Sequence, residues 1–528
     1  MSTRSLRVIG ASLLLSAMLA VSVAGSVVPA AAVPFPGGQA TTVFIPGADG
    51  VALNAIITAP PNLAAHRNAL VIQPSGWGMP AMGSIGSAVR LAVEHGMVSI
   101  QYTARGMYLS HGEVDLFGSK DAADVSAIID WAVSRLNVDP NRVGVAGGSY
   151  GAGMGLVAAA HDPRIKAVVV DSPPGELAAA LAPNDTPKTA GPVALAAAGV
   201  ATNRFGVGLT RMGLGLIGTN DPALIKALPQ NRIADNTLPR LNAHRTAVFM
   251  AHDWQDSLLP PGPMIAMFDR LTGPKMLVMS PGDHSTAGGA GQVVGWPNPV
   301  WDSALRWLDH YLNGVDNGID REPKVRIEPA NRGGYESYSS VAASERPRRA
   351  YALSRPSAGV LGADDRSWTQ QLRSAPTIAI AAVPYVTGTA AQLGVAPSIP
   401  LTGVDRGAAA VWHSAPFPAG ARVSGTTRVA LTVVPPARDL TLIGILYDED
   451  EAGNATVITQ FPITRHGLTP GAPTRVSWEL ARTMWNLPPG HRLALTVSSQ
   501  DPIPYVSATP LGAAVGIAAP SHVDIPVG

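Results

Sequence analysis

Val143-Gly144-Val145-Ala146-Gly147-Gly148-Ser149-Tyr150-Gly151 is the stretch on which the fold prediction depends. An apolar run ends in glycines around a serine, and the small residues of Ala152 to Ala160 follow. This order predicts a strand, a sharp turn and a helix, with the Ser149 hydroxyl exposed at the apex. Glycines suit such a turn because a side chain would meet the neighbouring strand and helix. The motif therefore predicts a nucleophilic serine, and a Gly-rich turn without chemistry is the alternative in a chain with 55 glycines.

Short apolar runs alternate with helical patterns on both sides of this motif, from about residue 40 to residue 320. The predicted strands are Ala69–Gln73, Val98–Tyr102, Val143–Ala146, Ala167–Val170, Ala247–Met250 and Met276–Met279. The predicted helices are Ile85–His95, Asp121–Leu136 and Trp301–Leu312. Alternation of this kind predicts an α/β fold, with a parallel sheet covered by helices on both faces.

The segment 176–243 interrupts the alternation, because it is rich in Ala, Leu and Gly and has no strand pattern. It includes Gly206-Val207-Gly208 and Gly213-Leu214-Gly215. Since it lies between two predicted strands, we expect a helical cap over the carboxyl edge of the sheet. The alternative is a helical decoration that does not contact substrate. The α/β core then comprises residues 33–175 and 244–321.

From residue 322 to residue 528 the pattern changes to short β runs separated by turn residues, without a helical period. The predicted strands are Lys324–Ile327, Ala350–Leu353, Thr377–Val383, Arg428–Val434, Leu440–Leu446, Thr456–Phe461, Arg475–Leu480 and Arg492–Val497. This pattern predicts a C-terminal all-β sandwich or jelly-roll domain. The acidic stretch Asp448–Asn454 is predicted to be a solvated hairpin turn, and a Ca²⁺ loop is the alternative.

Composition narrows the function classes. The 528 residues are too many for one ordinary core, so at least two domains are expected. Only 14% of the residues are charged and the net charge is +1, which argues against a nucleic-acid partner. The chain has no cysteine, which excludes disulfides, a Cys nucleophile and Cys-ligated metals. No metal or organic cofactor is implied.

The N-terminus has the features of an export signal. Arg4 and Arg7 precede an apolar run from Val8 to Val23, and Ala30-Ala31-Ala32 offers a cleavage site. We therefore expect residues 1–32 to be a signal peptide, and the protein to be secreted or held in the cell envelope without stable membrane insertion. An N-terminal membrane anchor is the alternative, although the run is short for a span of about 20 residues.

A serine nucleophile needs a base, and the base needs an orienting acid. In a sheet with such a turn they follow in the order Ser, acid, His, each in a loop after a strand. The strand ending at Met250 leads into His252-Asp253-Trp254-Gln255-Asp256, and the strand ending at Met279 leads into Asp283-His284. The order predicts His284 as the general base and Asp256 as its carboxylate.

Four other residues compete for these roles. Asp253 is the alternative acid, and Asp171, at the end of a predicted strand, is interpreted as a cap rather than as the acid. His252 comes too early in the chain order to be the base, and we expect it to pack in its loop. His111 is either a pocket residue or an ordinary surface histidine.

An oxyanion hole requires two hydrogen-bond donors. The backbone N–H of Tyr150, directly after the serine, is the first candidate. The loop Pro74-Ser75-Gly76-Trp77-Gly78 follows the first predicted strand of the core and supplies the second. We expect this donor to be the N–H of Trp77, with that of Gly76 as the alternative.

Several segments together resemble one family, that of cocaine-esterase-like and X-Pro dipeptidyl-peptidase (peptidase S15-type) hydrolases. They are Gly147–Ala152, Ala104-Arg105-Gly106 with Ser110-His111-Gly112, Trp254-Gln255-Asp256, Arg306–Gly314 and Pro489–Leu495. The resemblance implies an α/β-hydrolase core, a helical cap, a C-terminal jelly roll, and Ser149, Asp256 and His284 as a triad. Members of the family commonly have an oxyanion-loop tyrosine, which residues 73–84 lack. A backbone donor, Tyr102 or Tyr108 would have to replace it.

The sequence thus predicts a serine hydrolase that acts on a small ester or a short peptide through an acyl-enzyme. A dipeptidyl-peptidase would need a carboxylate for the substrate amine, and the cap carboxylates, Glu176, Asp185, Asp221 and Asp235, form no obvious pair. The apolar composition of the cap favours a carboxylesterase. The alternatives are an X-Pro dipeptidyl-peptidase and a non-catalytic glycan- or polymer-binding protein.

Overall fold

A computed structural model describes residues 33–35, 37–61, 63–210, 222–229, 231–331, 333–362, 367–377, 386–501 and 503–528. The predicted signal peptide (1–32), Gly213-Leu214-Gly215, Asp221 and most of the predicted strand Thr377–Val383 lie outside the described residues.

Eleven strands form the first sheet. They are β1 (Val33–Phe35), β2 (Gly38–Pro46), β3 (Ala52–Ala59), β4 (Asn68–Pro74), β5 (Val98–Tyr102), β6 (Val138–Gly148), β7 (Ile165–Asp171), β8 (Ala247–Asp253), β9 (Lys275–Ser280), β10 (Val325–Ile327) and β11 (Glu336–Tyr338). Their order is β1-β2-β3-β5-β4-β6-β7-β8-β9-β10-β11. The run from β5 to β10 is parallel, and antiparallel strands close both edges. The carboxyl ends of β4, β6, β8 and β9 therefore meet at one edge.

Helices cover both faces of this sheet, because its central strands are apolar on both sides. In β7, Val168 and Val170 pack into one core cluster, whereas Ala167 and Val169 pack into another. Among the described residues up to 321, the helices with defined bounds are α1 (Ile85–His95), α2 (Ser119–Arg135), α3 (Tyr150–His161), α4 (Leu177–Leu181), α5 (Ala190–Thr202), α6 (Ala223–Lys226), α7 (Ile233–His244), α8 (Gly262–Arg270), α9 (Thr286–Val293) and α10 (Pro299–Asn313). Helix α10 packs with α1 on one face, and α2, α3 and α7 pack together on the other.

The predicted cap differs from the structure at its C-terminal end. Helices α4, α5 and α6 lie between β7 and β8, and the described residues there form no named strand. Helix α7, which the prediction included in the cap, packs instead on α3, with Leu238 and Leu241 buried. The His244 ring also lies 3.0 Å from the Ala159 carbonyl oxygen. Helix α7 therefore belongs to the layer that covers the sheet, a role its composition does not reveal.

The boundary of the core also differs from the prediction. Val325–Ile327, assigned from sequence to the C-terminal domain, pairs in parallel with β9 as strand β10. Strand β11 then pairs with β10 in the antiparallel sense. The first sheet thus extends to Tyr338 rather than ending before residue 322. A three-residue apolar run cannot reveal its partner strand, which explains the error.

The described residues of the C-terminal region are all-β apart from short helices, and every pair of named strands among them is antiparallel. Its strands are β12 (Arg348–Ala352), β13 (Thr369–Arg373), β14 (Ser398–Pro400), β15 (Ala409–His413), β16 (Ala421–Gly425), β17 (Arg428–Val434), β18 (Leu440–Glu449), β19 (Asn454–Arg465), β20 (Thr474–Glu479), β21 (Thr483–Leu487), β22 (Arg492–Ser498) and β23 (Ala514–Pro526). Helices α11 (Val341–Ser344) and α12 (Val386–Gln392) accompany them. Two five-stranded sheets and one two-stranded sheet result. The prediction of an α/β core followed by an all-β region is confirmed.

The acidic stretch in this region is held by protein groups. Asp448 accepts hydrogen bonds from the Trp485 indole and lies 2.7 Å from the His491 ring. Glu449 pairs with Arg492 at 2.8 Å. Asp450 accepts from Asn454 across the turn. The turn from Asp450 to Asn454 agrees with the predicted hairpin, whereas Asp448 and Glu449 are buried at the end of β18 and are not solvated as predicted.

None of the helices among the described residues is both long and apolar enough to cross a membrane.

The segment around Arg105 joins the core to the loops at its carboxyl edge. The Arg105 guanidinium donates to both carboxylate oxygens of Asp124, at 2.6 and 2.7 Å, and each side chain is at most 2% exposed. Ser110 Oγ donates to the Thr103 carbonyl and accepts from the Asn54 N–H. Arg105 and Ser110, in the segment that resembles the family, therefore stabilise the loops at this edge of the sheet.

We predict that Arg105→Met destabilises the protein by about 3 kcal/mol, because it leaves the Asp124 carboxylate buried without its cation. The melting temperature measures this loss. Arg321→Met is the matched control, since Arg321 pairs with Asp316 on the surface, where both side chains are exposed. Equal melting temperatures for the two variants would contradict the prediction.

Candidate active site

Ser149 stands at the turn between β6 and α3. Its backbone has φ 56° and ψ −121°, a strained combination for a residue with a side chain. The Ser149 N–H donates to the Asp171 carbonyl oxygen at 2.8 Å, which ties the turn to β7. A Cβ on Gly147 would lie 2.6 Å from the carbonyl carbon of Gly151, and one on Gly151 would collide with the Pro74 carbonyl. Glycine at both positions allows the close approach that presents the serine.

His284 follows β9 and faces the serine. Its Nε2 lies 2.7 Å from Ser149 Oγ. The neighbouring backbone is fixed, because the Ser285 N–H donates to Ser172 Oγ and the His284 N–H donates to Asp283 Oδ1. The loop therefore holds the ring at hydrogen-bond distance from the candidate nucleophile.

Asp256 lies on the other side of the His284 ring. Its Oδ2 is 2.9 Å from His284 Nδ1, and its Oδ1 accepts from the N–H groups of Leu258 and Leu259 at 3.0 and 2.7 Å. Both oxygens are thus engaged and the orientation of the carboxylate is fixed. Because a carboxylate only accepts, Nδ1 carries the proton and Nε2 is left to accept from the serine hydroxyl.

The charges of the two groups support each other. Burial raises the pKa of Asp256, but the charge and hydrogen bond of His284 outweigh it, so the pKa is lowered from 3.8. Burial lowers the pKa of His284, but the Asp256 charge and hydrogen bond raise it above 6.5. The pair therefore favours an ionised carboxylate and stabilises a proton gained by the imidazole.

The competing carboxylates differ in their surroundings, and the Asp171 Oδ2 atom has no hydrogen-bond partner among the described residues, so the predicted cap is not seen at that atom. Asp253 Oδ2 accepts from the N–H groups of Thr286 and Ala287, so it caps the start of helix α9. Asp171 is buried, and desolvation raises its pKa to about 7. Asp283, for which the sequence predicts no role, accepts from the N–H and hydroxyl of Ser257 as well as from the His284 N–H. Asp283 thus joins the loop that carries Asp256, here called the acid loop, to the loop that carries His284, here called the base loop. Its position directly before His284 is the sequence feature from which this role could have been predicted.

His252 and His111, the two other histidines considered in the sequence analysis, lie away from Ser149 Oγ in the hydrogen-bond network. His252 is 1% exposed, its Nδ1 accepts from the Asp253 N–H, and burial lowers its pKa to about 4. Its Nδ1 is 3.7 Å from Asp256 Oδ2. Because burial disfavours the charged form, the ring packs in the loop as a neutral group. His111 is exposed, and its ring lies 6.4 Å from that of Phe44.

The loop after β4 lies directly against the serine turn. Gly76 packs beside the Gly148 carbonyl, and the Trp77 ring contacts that of Tyr150 edge-on at 5.6 Å. The Tyr150 hydroxyl points away, donating to Asp121 at 2.7 Å. The two predicted oxyanion donors, the N–H groups of Tyr150 and Trp77, thus belong to adjacent segments beside Ser149.

The two alternative tyrosines occupy different environments. Tyr102 is fully buried, and its hydroxyl has no hydrogen-bond partner among the described residues. Burial and the charges of Asp124 and Asp121 raise its pKa well above 10. Tyr108 is 40% exposed, and its N–H donates to the Thr202 carbonyl of the cap. No hydrogen bond joins either hydroxyl to Ser149 in the described part of the chain.

The cap places apolar groups beside this loop. The Trp77 ring stacks on Phe205 at 5.9 Å, and its indole N–H donates to the Leu195 carbonyl at 2.9 Å. A Cβ on Gly78 would lie 3.4 Å from the side chain of Ala198. Helix α5 therefore forms an apolar wall over the candidate oxyanion loop.

We predict that the pKa of His284 is above 6.5 in the wild-type protein and falls in Asp256→Asn. The amide cannot supply the negative charge that stabilises the imidazolium. NMR titration of ¹⁵N-labelled histidine measures both values, with His284→Gln used to assign the resonance. An unchanged pKa in Asp256→Asn would contradict the prediction.

Two family models match the chain. Residues 49–203 match the X-Pro dipeptidyl-peptidase (S15 family), and residues 317–511 match the X-Pro dipeptidyl-peptidase C-terminal non-catalytic domain. A relative in Escherichia coli (strain K12), the uncharacterized protein YcjY, is 33% identical over 122 residues, which are 22% of this chain and 40% of the relative. The chain thus spans about two fifths of the length of that relative.

Solved structures share the fold over nearly the whole chain. A CocE/NonD family hydrolase from Staphylococcus aureus has a TM-score of 0.72 at 14% identity, covering 97% of this chain and 99% of its own. An α-amino acid ester hydrolase has a TM-score of 0.70 at 16% identity, with coverage of 97% and 99%. An aminopeptidase from a Thaumarchaeota archaeon has a TM-score of 0.69 at 16% identity, with coverage of 96% and 99%.

At such identities these structures show the fold alone. Their shared fold confirms the predicted α/β-hydrolase core. The first family model covers the part of the core that contains Ser149, and the second covers most of the C-terminal region. The chain therefore carries the two domains of the X-Pro dipeptidyl-peptidase (S15) family of serine hydrolases, over residues 49–203 and 317–511.

Proposed function

We propose that the protein cleaves carboxylic esters through an acyl-enzyme, with Ser149 as the nucleophile, His284 as the general base and Asp256 as its orienting acid. The observation that carries the proposal is an unbroken hydrogen-bond chain. Ser149 Oγ lies 2.7 Å from His284 Nε2, and His284 Nδ1 lies 2.9 Å from Asp256 Oδ2. A serine becomes nucleophilic when an adjacent, oriented base takes its proton.

In the proposed reaction, His284 Nε2 takes the hydroxyl proton as Ser149 Oγ attacks the ester carbonyl carbon. The oxygen that becomes negative accepts hydrogen bonds from the N–H groups of Tyr150 and Trp77. Asp256 stabilises the imidazolium, which then gives its proton to the leaving alcohol as the C–O bond breaks. Water repeats the sequence on the acyl-enzyme, releasing the acid and restoring Ser149.

The surroundings of the site support an ester with an apolar acyl or alcohol group. The wall formed by Trp77, Phe205 and Ala198 offers contacts to hydrocarbon. Two of the carboxylates that the sequence assigned to the cap are already paired with cations: Asp185 with Lys226, and Asp235, which lies on helix α7, with Arg232 and Arg270. Paired carboxylates are poor candidates for capturing a substrate ammonium.

An X-Pro dipeptidyl-peptidase is the second candidate, favoured by the names of both matching family models. Such an enzyme must bind the free N-terminal amine of a peptide. Glu176, the N-cap residue of helix α4, is the cap carboxylate we assign to that role under this alternative. Glu176→Gln would then abolish peptide cleavage and leave ester cleavage unchanged.

We predict that the wild-type protein reacts with a fluorophosphonate probe and that Ser149→Ala does not, since the alanine lacks the reacting oxygen. Gel fluorescence of the labelled protein is the measurement. Ser110→Ala, which changes a buried serine outside the site, is the matched control and should still label. Failure of the wild-type protein to label, or equal labelling of Ser149→Ala, would contradict the catalytic proposal and favour a binding protein.

We predict that p-nitrophenyl butyrate is hydrolysed and Ala-Pro-p-nitroanilide is not. Ser149→Ala should lower kcat for the ester by at least about 10³-fold, because the covalent step is lost. Release of p-nitrophenol or p-nitroaniline, followed by absorbance, distinguishes the substrates. Cleavage of the anilide alone would replace the esterase with the dipeptidyl-peptidase.

We also propose that residues 1–32 are removed during export, on the charged, apolar and Ala-rich order of the N-terminus. The mature protein would then begin at Val33. Intact-mass spectrometry of protein recovered outside the cytoplasm of an expressing bacterium tests this. A mass that includes residues 1–32 would favour the anchor.

A further inference from the structure

Lys188 lies where the cap, the core and the C-terminal domain meet. It belongs to the short connection between α4 and α5, which runs along the C-terminal domain. The Thr189 N–H donates to the Pro504 carbonyl, the Val506 N–H donates to the Pro187 carbonyl, and Lys188 forms an antiparallel bridge with Tyr505. The C-terminal domain thus fixes the backbone on both sides of Lys188.

The Lys188 side chain reaches from this connection to the loop that carries Asp256. Its Nζ donates to the carbonyl oxygens of Ser257 at 2.7 Å and of Leu258 at 3.1 Å. These are the two residues that directly follow Asp256. The Asp256 carboxylate binds the N–H groups of Leu258 and Leu259 in the same turn. One turn therefore has its amides bound by Asp256 and its carbonyls bound by Lys188.

The surroundings of the Lys188 ammonium connect it to the site electrostatically. Desolvation lowers the pKa of Lys188 to about 8, against the charges of Asp256 and Asp283, which raise it. The group is therefore largely protonated at neutral pH, with a positive charge close to the buried carboxylate. An ammonium has three donors, so it can bind both carbonyls at once.

We propose that Lys188 is a positioning residue that holds Asp256 in its hydrogen bond with His284, and that the C-terminal domain acts on catalysis through it. Lys188 does not touch the reacting atoms; it fixes the turn from which the acid projects. The inference rests on the proposed function, in which Asp256 orients the general base.

The test compares Lys188→Met, Lys188→Arg and Lys275→Met in the full-length protein. Lys275 is the matched control, because its Nζ also donates to two successive carbonyls, those of Phe268 and Asp269, at 2.8 and 3.2 Å. It stands at the start of β9, at the opposite end of the strand from His284. Lys275→Met removes the same type of interaction away from the acid loop.

We expect Lys188→Met to lower kcat for p-nitrophenyl butyrate by at least about tenfold, with KM changing less than about threefold, because a misplaced catalytic group slows chemistry. Lys188→Arg should retain kcat within about threefold, since a guanidinium can still donate to both carbonyls. Lys275→Met should leave kcat unchanged. A loss in Lys275→Met as large as that in Lys188→Met would overturn the proposal.

A double-mutant cycle with Asp256→Asn separates positioning from general support of the fold. If Lys188 acts through Asp256, Lys188→Met should lower kcat less than about twofold once the carboxylate has been replaced. The same factor in both backgrounds would overturn the proposal. So would unchanged activity of Lys188→Met in the wild-type background.

A measurement that needs no substrate keeps this proposal distinct from the proposed function. The downfield proton resonance of His284 Nδ1–H reports its hydrogen bond to Asp256. It should persist in the wild-type protein, Lys188→Arg and Lys275→Met, and be lost or shifted upfield in Lys188→Met. A resonance that stays in place in Lys188→Met overturns the positioning role, whereas a wild-type protein that neither labels nor hydrolyses esters overturns the proposed function.

Discussion

The hydrogen bond between His284 Nδ1 and Asp256 Oδ2 is the interaction on which the geometry of the candidate site depends. It joins loops that leave the carboxyl ends of two adjacent parallel strands, β8 and β9. Both groups are buried, and each favours the charged form of the other, which a solvated pair would do only weakly. The bond also determines which imidazole nitrogen faces Ser149. The pairing of β8 with β9 thus brings together the two side chains that can make the Ser149 hydroxyl reactive.

Much of this arrangement could be predicted because it depends on local sequence. Gly147 reflects a close backbone contact within a few residues, with Gly151, and His284 and Asp256 follow apolar runs whose alternation with helical patterns predicts buried strands. What could not be predicted depends on distant pairing. Val325–Ile327 has the same apolar pattern as a sandwich strand, and only its partner, β9, assigns it to the core. Helix α7 likewise lies outside the cap in the structure, and its packing on α3 leaves no trace in composition.

The family-like segments have different physical meanings. The segment at Ser149 places the candidate nucleophile, whereas the segment at Arg105 buries an ion pair with Asp124 that holds the neighbouring loop. That loop in turn binds the cap, because the Tyr108 N–H donates to Thr202. The cap carries the apolar wall at Trp77 and Phe205. Residues that perform no chemistry therefore connect the core to the surface that a substrate would meet.

The C-terminal domain is also connected to the candidate site, through the loop that carries Asp256. Its backbone fixes the segment around Lys188, and Lys188 binds the carbonyls next to Asp256. Helix α12 of that domain also packs against the base loop, since a Cβ on Gly388 would lie 2.7 Å from Asp283 Cβ. A chain without cysteine cannot cross-link its loops, so it must hold them by burial and hydrogen bonds. A domain described in its family as non-catalytic thus contacts the loop that carries His284 directly and reaches the loop that carries Asp256 through Lys188.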